Sequence, residues 1–175
     1  AVLHGQWIVD VAWVRASHDA KLWLEESPYE MTGDVAAAQS NGGAGLGAPR
    51  LGRLRLVTGK PRLLENWRVV LTGLEASTYK EADLRDLLER MGASVVTSLP
   101  VFGNNPGTSN RRQRSAGASS AMRRMVVVTE DHPASLDEEL RVQARAGGVP
   151  FVRVGWIFDS ISYQRAFDTA GFFEG

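Results

Sequence analysis

The chain contains no cysteine. That excludes a disulfide framework and thiolate metal sites, and it fits a reducing compartment. It also lacks net charge, with 20 Lys and Arg balanced by 20 Asp and Glu. Whole-molecule attraction to nucleic acid or to an anionic membrane is therefore not implied. No apolar run approaches membrane-spanning length, and the N-terminus lacks a signal peptide's basic, apolar and small-residue succession, so no membrane partner is expected. Histidine is scarce: His4, His18 and His132 lie far apart. His132, within Glu130-Asp131-His132-Pro133, imitates a metal cluster, yet it falls where a strand turns into a helix, a usual place for such residues. There is no nucleophile elbow, Walker loop or zinc spacing. Catalysis finds little support, and no cofactor or metal is expected.

What the chain does have is a pattern that occurs twice. Gly5–Ser17 (GQWIVDVAWVRAS) superimposes without gaps on Gly148–Ser160 (GVPFVRVGWIFDS). Gly5 pairs with Gly148, Val9 with Val152, Val11 with Val154, Trp13 with Trp156 and Ser17 with Ser160. Tyr29 follows Trp13 at the distance at which Phe172 follows Trp156. A repeat at large spacing means two copies of one folding unit. A long α/β stretch precedes Gly148, whereas almost nothing precedes Gly5. The expectation is the C-terminal part of one repeat over 1–33, a flexible linker over 34–64 and a complete repeat over 65–175.

The linker expectation rests on composition. Ala, Gly and Ser dominate Thr32–Lys60, with Arg50, Arg53, Arg55, Lys60 and Arg62 toward its end, where a short helical turn fits. Beyond it, Trp67–Leu71 (WRVVL) has the character of a strand closed by Thr72-Gly73. Thr78 and Glu81 form a capping-box pattern ahead of Leu84, Leu87, Leu88 and Met91 at helical spacing. Ala93–Val96 and Met125–Thr129 are further strands, and the unbroken MVVVT run suits a parallel strand buried on both faces. Ser135 and Glu138 repeat the capping pattern before a helix ending at Gly147-Gly148. Pro150–Val154 is a fourth strand and Gly155–Tyr163 a third helix. This order predicts an α/β unit with a four-stranded parallel sheet flanked by three helices. Residues 103–123, rich in Gly, Asn, Ser and Arg, are expected to be a disordered insertion.

The element order, the duplicated Trp, and the stretches GQWIV, YEMTGDV (29–35), GASVV (92–96) and GWIFDS (155–160) resemble the BRCT domain. Two copies joined by a linker resemble a tandem BRCT module. The resemblance implies a non-enzymatic, nuclear scaffold of the DNA-damage response, with any ubiquitin-ligase ring region outside this chain. It implies phosphorylated partners from repair and checkpoint signalling, bound as phosphoserine peptides in a groove between repeats. Phosphate would be held by the first repeat, through residues preceding Ala1. The second repeat's groove wall maps to Thr78, Tyr79, Val154 and Phe158, with Arg153 able to supply a grip after a register adjustment. A well-known member has a Met and an Arg where this chain has Tyr79 and Val154. The bland alternative is that Tyr79 and Phe158 are ordinary interface aromatics.

Thr72-Gly73 also offers a hydroxyl, backbone N–H donors and a positive helix end, the parts of a phosphate site. The family's accompanying Lys falls on Leu140 here. Arg141 is adjacent but projects some 100° around the helix, so this site would be weak, and the alternative is a turn that needs Gly. Trp13 and Trp156 are read as structural core, each packing its helix on its own sheet. Arg111, Arg112, Arg114, Arg123 and Arg124 suggest a weak DNA contact, or simply a solvated loop. The competing functions are phosphate-independent assembly, DNA-end binding, and a nucleotide-dependent enzyme using Thr72-Gly73.

Overall fold

A computed structural model of the chain describes residues 1–33, 47–100 and 124–170. The insertion expected at 103–123, with Arg111, Arg112, Arg114 and Arg123, lies outside them. Contacts divide the chain into two compact units, Ala1–Leu63 with Phe158–Phe167, and Leu64–Ile157 with the chain end from Asp168.

The larger unit is built on β1 (Arg68–Leu71), β2 (Ser94–Val96), β3 (Met125–Val128) and β4 (Phe151–Val152), all parallel in the order β2-β1-β3-β4. Helices α3 (Glu81–Arg90) and α4 (Glu138–Gly147) accompany them, with the first residues of α5 (Gly155–Ser162), which from Phe158 onward is counted with the smaller unit. The β1–α3–β2 and β3–α4–β4 crossovers run outward in opposite directions, so right-handed connections put α3 and α4 on opposite faces. Val70 and Val127 pack with Leu99, Met125, Ala144, Val149 and part-buried Leu140 on the α4 face. By the two-residue period of a strand, Val69, Val126 and Val128 face the other way. All four residues of β3 are buried, which explains its unbroken apolar run. Trp156 is fully buried against Trp67, ring centroids 5.5 Å apart.

Both helix starts differ from the capping patterns. The N-cap of α3 is Lys80 without a side-chain bond, because Ser77 Oγ takes the Tyr79 N–H and keeps the chain in a turn through Thr78. For α4 the cap is Asp137, whose carboxylate accepts the Leu140 N–H. Ser135 ends a 3-10 turn, Pro133–Ser135, whose N-cap is His132: Nδ1 accepts the Ala134 N–H. His132 thus has a turn role, and the described residues contain no cluster of three or more metal-ligating side chains.

The smaller unit holds α1 (Val11–Ala20) and α2 (Ala48–Val57). Within the segment expected to be a flexible linker with a short helical turn toward its basic end, Ala48–Val57 form a ten-residue helix. Gly52 allows this: a Cβ there would lie 2.3 Å from the Val2 carbonyl oxygen, so only Gly lets α2 settle on the Val2–His4 turn. Arg53 then forms two hydrogen bonds with the Glu30 carboxylate, 3.0 and 2.9 Å, and lies 3.6 Å above the Trp7 ring. The hydrogen bonds and charge of Glu30 hold the Arg53 guanidinium above its ordinary pKa. Trp7–Val11 is not a strand; Val9 makes a single antiparallel bridge to Glu30. A strand needs a ladder, and no other described segment pairs with this one.

The repeat persists in the hydrogen bonds. Ser17 Oγ accepts the N–H of Leu24, and Ser160 Oγ that of Phe167, seven residues on in each case. Lys21 and Gln164, four residues after these serines, are both in the left-handed region (φ 55° and 51°). Trp13 N–H bonds the Asp10 carbonyl as Trp156 N–H bonds that of Arg153. The same helix entrance and exit are therefore built twice. Burial is not duplicated: Trp13 is only half-buried, stacked on exposed Trp23 at 5.1 Å, with Nε1 donating to the Leu24 carbonyl. Both tryptophans are expected in the core; Trp156 is fully buried there and Trp13 is half-buried.

Candidate functional site

The sharpest candidate sits where β1 ends. Its last turn, Thr72-Gly73, is tied down by Thr72 N–H to the Val128 carbonyl and by Glu130 and Asp131 N–H to the Gly73 carbonyl. Gly73 has φ +57°, and a Cβ there would stand 2.6 Å from Thr129 Oγ1 and 3.0 Å from an Asp131 carboxylate oxygen. The glycine is required by the turn itself.

Beside this turn is a cavity of about 300 Å³ lined by Leu71, Thr72, Thr97, Ser98, Asp137, Glu139, Leu140 and Gln143, among others. Leu140, not a cation, faces it. Arg141 does not line it; its half-buried side chain keeps a buried Nε without a hydrogen-bond partner. The walls carry two carboxylates and no Lys or Arg among the described residues. Asp137 accepts the Leu140 N–H and Glu139 accepts from the Gln143 amide. A phosphate, with a charge near −2 and a need for charge-assisted donors, meets repulsion there. Of Thr72, Gly73 and Arg141, grouped above as a weak phosphate site, Thr72 alone lines the cavity.

The residues mapped to a peptide-groove wall separate by burial. Thr78, Tyr79 and Arg153 are exposed. Val154 is buried, with its N–H donating to the Glu130 carboxylate at 3.0 Å, so its side chain is core and cannot line a surface. Phe158 is half-buried and belongs to the smaller unit. Sequence reasoning missed Glu130; an acidic residue just after a buried strand and facing a backbone N–H has no pattern of its own. Of the five loop arginines, Arg124 is described: its Nη1 donates to the Glu65 carbonyl and its own carbonyl accepts the Arg68 N–H, which ties it to β1.

Leu84, Leu88, Trp156 and Ile157 are buried. Exposed apolar side chains among the described residues include Val11, Val14, Leu22 and Trp23 on α1 and its exit, Leu51, Leu54, Leu56 and Val57 on α2, and Val142 on α4.

With this geometry in view, comparison with known proteins is informative. The chain matches no family model. It is similar to the BRCA1-associated RING domain protein 1 of Arabidopsis thaliana, 28% identical over 173 residues covering 92% of this chain and 22% of that protein. It is also similar to the BREAST CANCER SUSCEPTIBILITY 1 homolog of the same plant, 30% identical over 95 residues, 54% of this chain and 9% of that protein. Among solved structures, the BRCT5-BRCT6 domains of S. pombe Brc1 match with a TM-score of 0.61 and 18% identity, over 96% of this chain and 72% of theirs. The larger unit, a four-stranded parallel sheet with helices on both sides, has the BRCT fold. The chain spans about a fifth or less of the length of these curated relatives.

Proposed function

We propose that this chain is the second-repeat portion of a tandem BRCT scaffold that recognises phosphorylated partner proteins in the nuclear DNA-damage response. In this reading 1–33 is the end of the first repeat and 65–175 the second, and the first repeat supplies the phosphate contact. The second repeat contributes peptide contacts through exposed Thr78, Tyr79 and Arg153. The observation that carries the division of labour is the carboxylate-lined cavity at Thr72, which disfavours phosphate in this repeat. A phosphate held by charge-assisted bonds supplies affinity, and flanking side chains supply sequence choice.

Fluorescence polarisation on the full-length protein tests this, using an oriented phosphoserine peptide library and its unphosphorylated counterpart. The phosphorylated library should bind at least about tenfold more tightly, a difference of about 1.4 kcal/mol. Thr72→Ala should leave that ratio unchanged, and Arg153→Ala should weaken phosphopeptide binding. Equal affinity for the two libraries would favour phosphate-independent assembly instead, which the same acidic cavity would permit.

A further inference from the structure

Helix α2 is amphipathic in the reverse of the usual sense. Its inward residues, Ala48, Pro49 and Gly52, are small and buried, with Gly52 seated on Val2. At about 100° per residue, Arg50, Leu54 and Val57 fall on the side opposite Gly52, with Leu51 on its flank. Leu51, Leu54 and Val57 are 47%, 38% and 75% exposed, and Arg50 is exposed among them. A helix that only joined two elements would turn its large apolar side chains inward and present polar ones to water. This helix is also fixed in rotation. Arg53 bonds the Glu30 carboxylate on one side, and Arg55 bonds the Pro61 and Gln164 carbonyls on the other. The charge is equally one-sided. Residues 47–63 contain five Lys and Arg and no Asp or Glu, although the whole chain is neutral.

We infer that this face of α2 docks an acidic helical segment of a partner protein, one that carries its own apolar anchors. Leu51, Leu54 and Val57 recur at helical spacing and give a row of contacts that a partner's apolar stripe can straddle. Arg50 at one end and exposed Lys60 beyond the other flank that row with positive charge. Acidic residues beside the partner's stripe meet both. Charge complementarity thus selects the occupant. Double-stranded DNA would answer the charge and leave the apolar row in water. A neutral segment would cover the row and leave the charge unused. Arg53 and Arg55 hold the face outward before any partner arrives, which lowers the ordering cost of binding. The surface uses none of Thr78, Tyr79 and Arg153, so this inference and the phosphopeptide reading can fail separately.

Fluorescence polarisation on the full-length protein provides the test, with hydroxyl-radical footprinting of side chains as a second readout. The probe is a labelled amphipathic peptide of about five helical turns, with Leu on one face and Glu on the other. Its controls are the same peptide with Lys in place of Glu, and a scrambled version. The Leu/Glu peptide should bind about tenfold or more tightly than either control, and raised salt should weaken it. It should slow the labelling of Leu51, Leu54 and Val57, which react freely in the protein alone. Arg50→Glu and Val57→Asp should each reduce its affinity about fivefold or more. Both sites are exposed, so Tm should stay within about 2 °C. No binding, or equal affinity for the three peptides, would overturn the inference. So would protection of the three side chains in the full-length protein alone, since a segment of its own chain would then be the occupant. Protection by anionic phosphatidylserine vesicles and not by the peptide would overturn it as well, in favour of a membrane surface.

Discussion

Gly73 shows how a single residue can mimic a site. Its left-handed backbone and the 2.6 Å approach to Thr129 Oγ1 leave no room for a side chain. Gly73→Ala should therefore cost about 2 kcal/mol or more, from the left-handed penalty plus the clash, measured by urea denaturation. Asp159 offers a pH test. Burial raises its pKa, so the folded protein ionises it less readily than the unfolded chain does. The resulting penalty is absent below the ordinary carboxylate value of about 3.9 and develops as pH rises through and above it. Asp159→Asn should raise Tm at neutral pH and lose that advantage at acid pH, as followed by calorimetry across pH. At this scale the sequence was partly legible. The resemblance implies a cation where this chain has Leu140, with Arg141 turned about 100° around the helix, and the structure keeps Arg141 off the cavity wall. Burial of Val154 was not legible, because alternation along a two-residue strand cannot fix which face the next residue takes.

Elements were more legible than their ends. Four parallel strands and three helices follow from apolar runs and spacing, because burial on both faces of a parallel sheet leaves a strong signal. Helix starts were less so. Ser77, Thr78, Ser135 and Asp137 all offer side-chain oxygens near a helix start, and the local turn decides which one bonds the backbone. The α2 helix was hidden by its own composition: Gly52 weakens helix propensity, and its purpose is contact with Val2, which no local pattern reports. Gly52→Ala should release α2 from the Val2–His4 turn. Exchange of α2 amides should then quicken while β1–β4 stay protected. The two tryptophan helices should also respond unequally. Trp156→Ala should cost about 3–5 kcal/mol as a fully buried aromatic. Trp13→Ala in the same chain should cost much less, because its ring is half-exposed.

Across the whole molecule, duplication organises the rest. Ser17 and Ser160 each hold a residue seven places on, and Lys21 and Gln164 each turn the chain left-handed four places after those serines. The sequence match ran to these serines, but the matching exits were invisible because Lys21 and Gln164 share backbone shape and no chemistry. The repeat, the BRCT fold of the larger unit and the similarity to a tandem pair agree with one another. Function is less legible at this scale, since a carboxylate-lined cavity stands where a phosphate site was considered. The account's central claim is that the Trp13 helix and the Trp156 helix are the same element in two copies of one fold. A high-resolution structure of the full-length protein tests it most directly. The account predicts that residues 5–24 superimpose on 148–167 and that Trp13 lies beneath a parallel sheet, as Trp156 does. A Trp13 helix that remains bare, or that packs in surroundings unrelated to those of Trp156, would contradict it.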